Sequence, residues 1–270
     1  MSLNKKLFHK AASATDTFEP TKNFNTVLYT GNGATQKVGA YINQGAAFNG
    51  TSSKIVFPSG EPFGDTNTIK SISCWFKLTD TTSNTTDNAW IYSVSSSADA
   101  FNWFYVAARP TTSTIEVFRR KTSSSHSAFT SASFTPDTNW HHIVAQLSSS
   151  EVEIFLDGTK LSTTNTNAGD GTNTSWIDFG AFSGTVVSQA GKSRENTAKY
   201  FDGQLDQQRF FNRELTDSEV TQLSNETFES ATKSTTDIFG DRSGLALYQY
   251  ENNANDTGGA SGYLNEGAIF

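Results

Sequence analysis

A single cysteine in 270 residues leaves no partner for an internal disulfide, so the fold cannot rest on a bridged framework. That residue, Cys74, falls in the alternating run Ile72, Cys74, Phe76, Leu78, where a buried structural thiol is expected rather than a nucleophile. Only five prolines are present, and no apolar run reaches the 18 residues of a membrane-crossing helix. The opening stretch MSLNKKLFHKAAS has two adjacent lysines but no apolar segment behind them, so no secretion signal is legible and no membrane insertion is expected. Positive charge is also scarce: 20 Lys and Arg against 27 Asp and Glu give a net charge of −7, which argues against nucleic acid as a partner. Arg119-Arg120-Lys121 is the one local basic cluster, and a solvated strand end accounts for it. Missing too are a Gly-rich phosphate loop with its lysine, a His-Glu-x-x-His helix, a Cys-x-x-Cys pair and a Gly-x-Ser-x-Gly elbow.

What the chain has in quantity is aromatic side chains and period-two alternation. Hydrophobic residues make up 35%, a low share, yet 21 Phe and 5 Trp suffice to fill a core. The stretch Asn139 to Lys160 sets the pattern: Ile143, Ala145 and Leu147 alternate before a Ser-rich turn, and Val152, Ile154 and Leu156 alternate after it. Asp157-Gly158 supplies a second tight turn, since Gly takes positive φ without cost.

Further strands are expected at Thr26–Tyr29, Gly45–Phe48, Lys54–Phe57, Thr68–Leu78, Ala89–Val94, Phe101–Ala108, Thr114–Arg120, Phe129–Phe134, Trp176–Phe182 and Gln204–Phe211. Asn49-Gly50 predicts a type I′ hairpin joining Gly45–Phe48 to Lys54–Phe57. STTNTNAGDGTNTS after Lys160 reads as a polar loop. In the strand Gln204–Phe211, simple alternation puts Leu205, Gln207, Arg209 and Phe211 on one face and Asp206, Gln208 and Phe210 on the other. Thr216-Asp217-Ser218-Glu219 has the N-cap and N3 residues of a capping box, which predicts one short helix over Asp217–Asn225.

The ordered set Ile72-Ser73-Cys74-Trp75-Phe76, Trp140-His141-His142-Ile143, Val152–Gly158 and the closing run Phe201–Thr216 resembles the laminin G-like branch of the concanavalin A-like lectin/glucanase superfamily over roughly residues 24–225. The resemblance implies an all-β, two-sheet antiparallel jelly-roll sandwich. It leaves function open, because sugar binders, protein binders, structural modules and hydrolases share that fold. A domain plan follows: an N-terminal arm at 1–15, the sandwich at 16–228, and at 229–270 a linker plus the opening segment of a second repeat. The repeat is visible in Tyr41–Phe48 against Tyr263–Phe270, in Thr15–Phe18 against Thr236–Phe239, and in Leu28-Tyr29 against Leu247-Tyr248. Either a second module continues from it, or the segment stands alone as a strand for a neighbouring chain's sheet. The leader followed by such a domain resembles virion structural proteins of tailed bacteriophages. That implies a non-enzymatic decoration or tail-associated module made in the host cytoplasm, with other virion proteins and copies of itself as partners and host-surface polysaccharide as a candidate ligand. The alternatives are a free-standing lectin-like protein or a glycan hydrolase.

Candidate chemistry is sparse. Glucanase relatives place carboxylates in a Glu-x-Asp-x-x-Glu pattern along one strand. The nearest match, Glu151-x-Glu153-x-x-Leu156-Asp157, has Leu156 where the third acid belongs, so no catalytic residue is assigned. His141 and His142 are adjacent on a strand and point to opposite faces, which excludes joint chelation. Asp170 and Asp178, with Asn167 and Asn173, are oxygen donors in a loop and candidates for Ca²⁺, the one cofactor considered; solvated loop acids are the plainer account. Trp90, Trp103, Tyr105 and Arg109 are the candidate glycan residues, because a flat ring covers the apolar face of a pyranose while a guanidinium satisfies hydroxyls. Core filling is the usual job of Trp and Tyr in a sandwich, and stands as the competing account.

Overall fold

The computed structural model describes residues 35–38, 44–57, 69–81, 89–96, 103–120, 127–148, 151–168, 186–193, 199–226 and 238–250. Among them fifteen strands build two antiparallel sheets. In the first sheet the order is β1 (Thr35–Val38), β2 (Gln44–Asn49), β14 (Asp202–Phe211), β4 (Ser71–Leu78), β9 (Trp140–Leu147), β10 (Val152–Leu156) and β11 (Thr159–Lys160), with β15 (Gly244–Tyr248) also on β14. The second runs β12 (Thr163–Ala168), β8 (Ser127–Ser133), β7 (Thr114–Arg120), β6 (Trp103–Arg109), β5 (Ala89–Ser96), β13 (Val186–Ala190) and β3 (Ile55–Val56). The architecture is the all-β sandwich with one described helix, α1 (Asp217–Ser224), as the resemblance implied.

Alternation does the packing. Ile72, Cys74, Phe76 and Leu78 of β4 and Ile143, Ala145 and Leu147 of β9 turn their side chains between the sheets, where all are buried. There Tyr92 meets Phe210 edge-on at 5.0 Å and Phe57 lies 4.6 Å from Tyr248. Cys74 is wholly buried and burial pushes its thiol well up, so it stays protonated and inert. The Asp157-Gly158 turn forms with both residues at positive φ, 50° and 80°, and Leu156 pairs with Thr159 across it.

The helix covers the outer face of the first sheet. Thr216 Oγ1 accepts from Glu219 N at 3.3 Å and Thr216 N donates to Glu219 Oε2 at 2.8 Å, so the capping box is closed in both directions. Val220 and Leu223 then seat on Val144, Phe155, Phe211 and Leu215 as a second small core.

Four expectations change. Asn49-Gly50 does not make a hairpin: β2 belongs to the first sheet and β3 to the second. Asn49 Oδ1 instead accepts from the amides of Thr51, Ser52 and Ser53 at 2.9 to 3.0 Å, a side-chain-capped crossing between sheets. The polar stretch after Lys160 contains strand β12, an edge strand paired along Ser127–Ala132 of β8; Ser/Thr/Asn composition suits an edge with one wet side. Strict alternation fails in β14, where Asp206 pairs with Trp75 but Arg209 with Ser73, so three steps on one strand match two on the other. Gln207, at φ 48°, absorbs the extra residue. Leu205 and Phe210 consequently share the main core, while Phe211 faces the helix. Finally, residues 244–248, placed by the sequence in the opening of a second repeat, pair with Gln208–Phe211 of β14 and complete the first sheet. The expected strands at 26–29 and 176–182 and the arm at 1–15 lie outside the described residues.

Candidate functional site

Trp90, Trp103, Tyr105 and Arg109 converge on one surface. In β6, Phe104, Val106 and Ala108 alternate inward, which leaves Trp103, Tyr105 and Arg109 on the outer face of the second sheet. Trp90 of β5 pairs with Ala107 and joins them, its ring 5.0 Å from Tyr105 and 6.3 Å from Trp103. The register with β7 adds residues that single-segment inspection overlooks: Phe118 stands opposite Tyr105, Glu116 opposite Ala107 and Arg120 opposite Trp103. Phe118 stacks on Tyr105 at 5.2 Å and meets Phe129 of β8 edge-on at 6.4 Å. Arg120 lies over the Phe118 ring at 5.9 Å. The signal for these was the period-two series Glu116, Phe118, Arg120 in TIEVFRR, which acquires meaning only from its register against β6.

The rings differ in access. Trp90 and Tyr105 are buried, at 3% and 7% exposure, so protein packs against them as the core account expected. Trp103, Phe118 and Phe129 remain partly exposed. The chain following β13 roofs part of the face: Trp103 Nε1 donates to Ser193 O at 2.9 Å and Ser93 Oγ to Lys192 O at 2.8 Å.

One carboxylate organises the polar half. Glu116, 3% exposed, accepts from Arg109 Nη1 at 3.1 Å, from Tyr105 Oη at 3.1 Å and from Thr114 Oγ1 at 3.0 Å. Burial, reinforced by the adjacent Glu116 charge, pushes the Tyr105 phenol far above its ordinary value, so it stays a neutral donor. Arg109, paired with Glu116 at 3.1 Å, keeps 28% of its side chain exposed at the rim. Such a surface offers ring faces, a guanidinium and hydroxyls, with Glu116 as the only acid in any of its seven strands.

The other candidates fall elsewhere. His141 lies 2.8 Å from Asp157 and 2.9 Å from Asp137, and the Asp157 hydrogen bond is the largest influence raising its pKa. His142, on the opposite side of the strand, is buried against Ser73 Oγ at 2.8 Å and the Trp75 ring at 5.1 Å; burial depresses its pKa to about 3. Glu153 is tied to Lys160 at 2.5 Å and to Gln146 at 3.0 Å, a structural pairing on the helix side of the first sheet. Asp170 and Asp178 lie outside the described residues, and among the described ones no three His, Cys, Asp or Glu side chains gather as a metal site. A shallow pocket of about 340 Å³ at the first sheet's rim is lined by Lys77, Leu78, Thr79, Thr138 and Gln204 and has no ring to stack a ligand on.

The chain belongs to the concanavalin A-like lectin/glucanases superfamily, whose model in the laminin G-like group matches residues 49–221. Among curated proteins none matches. Of the solved structures, domain 4 of the extracellular GH43 arabinanase AbnA from Geobacillus stearothermophilus, in complex with arabinotriose, is 18% identical with a TM-score of 0.50, covering 71% of this chain and 81% of that one. The CBM40 of the Ruminococcus gnavus IT-sialidase is 15% identical with a TM-score of 0.49, covering 70% and 98%. At 18% identity the arabinanase domain shares the fold.

Proposed function

We propose that this chain is a non-catalytic carbohydrate-binding sandwich whose ligand lies on the outer face of the second sheet, across Trp103, Phe118 and Phe129, with Arg109 at the polar end. The observation that carries the reading is the convergence of partly exposed rings beside a guanidinium and an anchored carboxylate on one sheet face. Aromatic faces cover the C–H side of a sugar ring while Arg109 donates to its hydroxyls. The non-catalytic half is supported by the state of Glu116, the one acid in the described strands of this sheet: three donors already engage it, whereas glycoside hydrolysis by the common mechanisms needs two carboxylates across the scissile bond. A glycan array on the purified chain, repeated with Trp103→Ala and Phe118→Ala, tests it. Loss of signal in both variants with unchanged far-UV circular dichroism and a retained cooperative unfolding transition is expected, and retained signal in folded variants would refute the assignment. The setting we propose is the surface of a virus particle, supported by the leader MSLNKKLFHKA and the internal repeat. Mass spectrometry of purified particles checks that part separately: absence of the chain removes the virion and leaves a free-standing lectin-like protein.

A further inference from the structure

The pocket at the rim of the first sheet has a chemistry of its own. β4 runs antiparallel to both β9 and β14, so its last residues meet the turn before β9 and the first residues of β14 at one end of the sandwich. There Lys77 stands opposite Gln204 in register. Phe76, Leu78 and Leu205 turn into the core, which sends Lys77 and Gln204 to the outer face together. Thr138 lies two residues before β9 and closes the other side.

What this pocket presents is hydrogen-bond donors. Lys77 makes no ion pair with any described residue, whereas Lys160, Arg209 and Arg213 are bonded to Glu153, Glu226 and Glu219. Gln204 Oε1 is enclosed and accepts no hydrogen bond, so the amide turns its Nε2 end to the open side. Thr79 and Thr138 are exposed and each adds a hydroxyl. None of the described lining residues is an acid. Asp137, next to Thr138, is turned away: it accepts from Asn139 N at 2.6 Å and lies 2.9 Å from His141. An ammonium and an amide N–H beside two hydroxyls, with no carboxylate to repel it, suit an oxyanion. At about 340 Å³ the space is at the small end of ligand pockets and fits one sugar unit. Leu78 is its one apolar lining residue, too little to hold a greasy acid, while the threonine hydroxyls both donate and accept as sugar hydroxyls require.

We propose that this pocket binds the anionic group of an acidic sugar, a carboxylate or a sulfate, with Lys77 Nζ and Gln204 Nε2 donating to its oxygens and Thr79 and Thr138 meeting the neighbouring hydroxyls. The site stands on the first sheet, away from Trp103 and Phe118, and does not rest on the ring face of the second.

The test is a titration of the isotope-labelled full chain, followed by the NMR amide signals of Thr79, Thr138 and Gly203. Three probes are added in turn: methyl glucuronide, glucose sulfated at its primary hydroxyl, and neutral methyl glucoside. At least one of the two acids is expected to shift these signals to saturation, less tightly as NaCl is raised, and which acid does so tells carboxylate from sulfate. Methyl glucoside is expected to leave them in place. Lys77→Met should weaken the binding acid about tenfold or more, the usual size of a lost charge-assisted hydrogen bond. Gln204→Leu should weaken it too while holding or raising the thermal midpoint, because it removes an enclosed acceptor that has no partner. Lys77→Met is also expected to keep any array signal that Trp103→Ala removes, so this site and the ring face stand or fall separately. No shift with either acid, equal shifts with methyl glucoside, or a folded Lys77→Met variant that titrates like the native chain would overturn the proposal.

Discussion

Acid should weaken this fold through His142 by an amount that can be worked out beforehand. The imidazole is buried, bonded through Nε2 to Ser73 and set beside Trp75, and its Nδ1 has no hydrogen-bond partner. Burial is the main cause that depresses its pKa from 6.5 to about 3, with the Arg209 charge adding to it and Asp157 opposing. A depressed histidine leaves stability intact above its unfolded pKa and removes it as pH falls, because the unfolded chain takes up a proton that the folded one refuses. At pH 5 the unfolded state gains about 2 kcal/mol from that proton and the folded state almost nothing; the loss deepens toward pH 3. His141 works in the other direction, since its raised pKa adds stability at low pH that is lost as pH rises through the folded value. Comparison with His142→Gln removes that complication, as His141 and every carboxylate are common to both chains. Urea unfolding followed by tryptophan fluorescence at pH 8 and pH 5 should show the native chain losing about 2 kcal/mol more than the variant. Equal losses, within about 0.5 kcal/mol, would mean that His142 is solvated or already paired when protonated and would refute the reasoning.

Tyr248→Ala should destabilise the chain by about 3–5 kcal/mol, as for other large buried rings, measured by chemical denaturation. Gly191→Ala should cost more than about 1 kcal/mol: the glycine sits at φ 79°, and an added Cβ would fall 2.2 Å from the Phe48 ring, so thermal unfolding should shift down. Arg109→Met should cost about 1–3 kcal/mol in urea, because it removes the cation paired with Glu116, which stays buried and bonded to Tyr105 and Thr114.

Much of the sandwich was legible because half-buried strands advertise themselves. β7 falls on its expected residues, and β9, β10 and the Asp157-Gly158 turn follow directly from alternation and one glycine. The capping box named the helix for the same reason, since its signal is local. What failed was non-local or used polar material. Asn49-Gly50 looks the same whether the chain folds back or crosses to the opposite sheet; the difference lies in which strands await each side. β12 is made of Thr, Asn and Ala, whose pairing with β8 has no apolar trace. The candidate site was half visible: rings could be picked out in Trp90, Trp103 and Tyr105, but Glu116, Phe118 and Phe129 enter through cross-strand register, and exposure, which ranks Trp103 above Trp90, is a property of the folded surface.

The extra residue at Gln207 has a consequence for kinship. A one-residue insertion or deletion there acts as a frameshift in space: from Gln208 to Phe211, side chains that face the interior and those that face the helix side exchange places. A relative that lacks the extra residue, aligned by apolar pattern alone, would match up to Asp206 and then fall out of phase. Each should be aligned in two blocks, before and after this point, so that Arg209 and its partner Glu226, 2.5 Å apart, are compared with residues that lie in the same place.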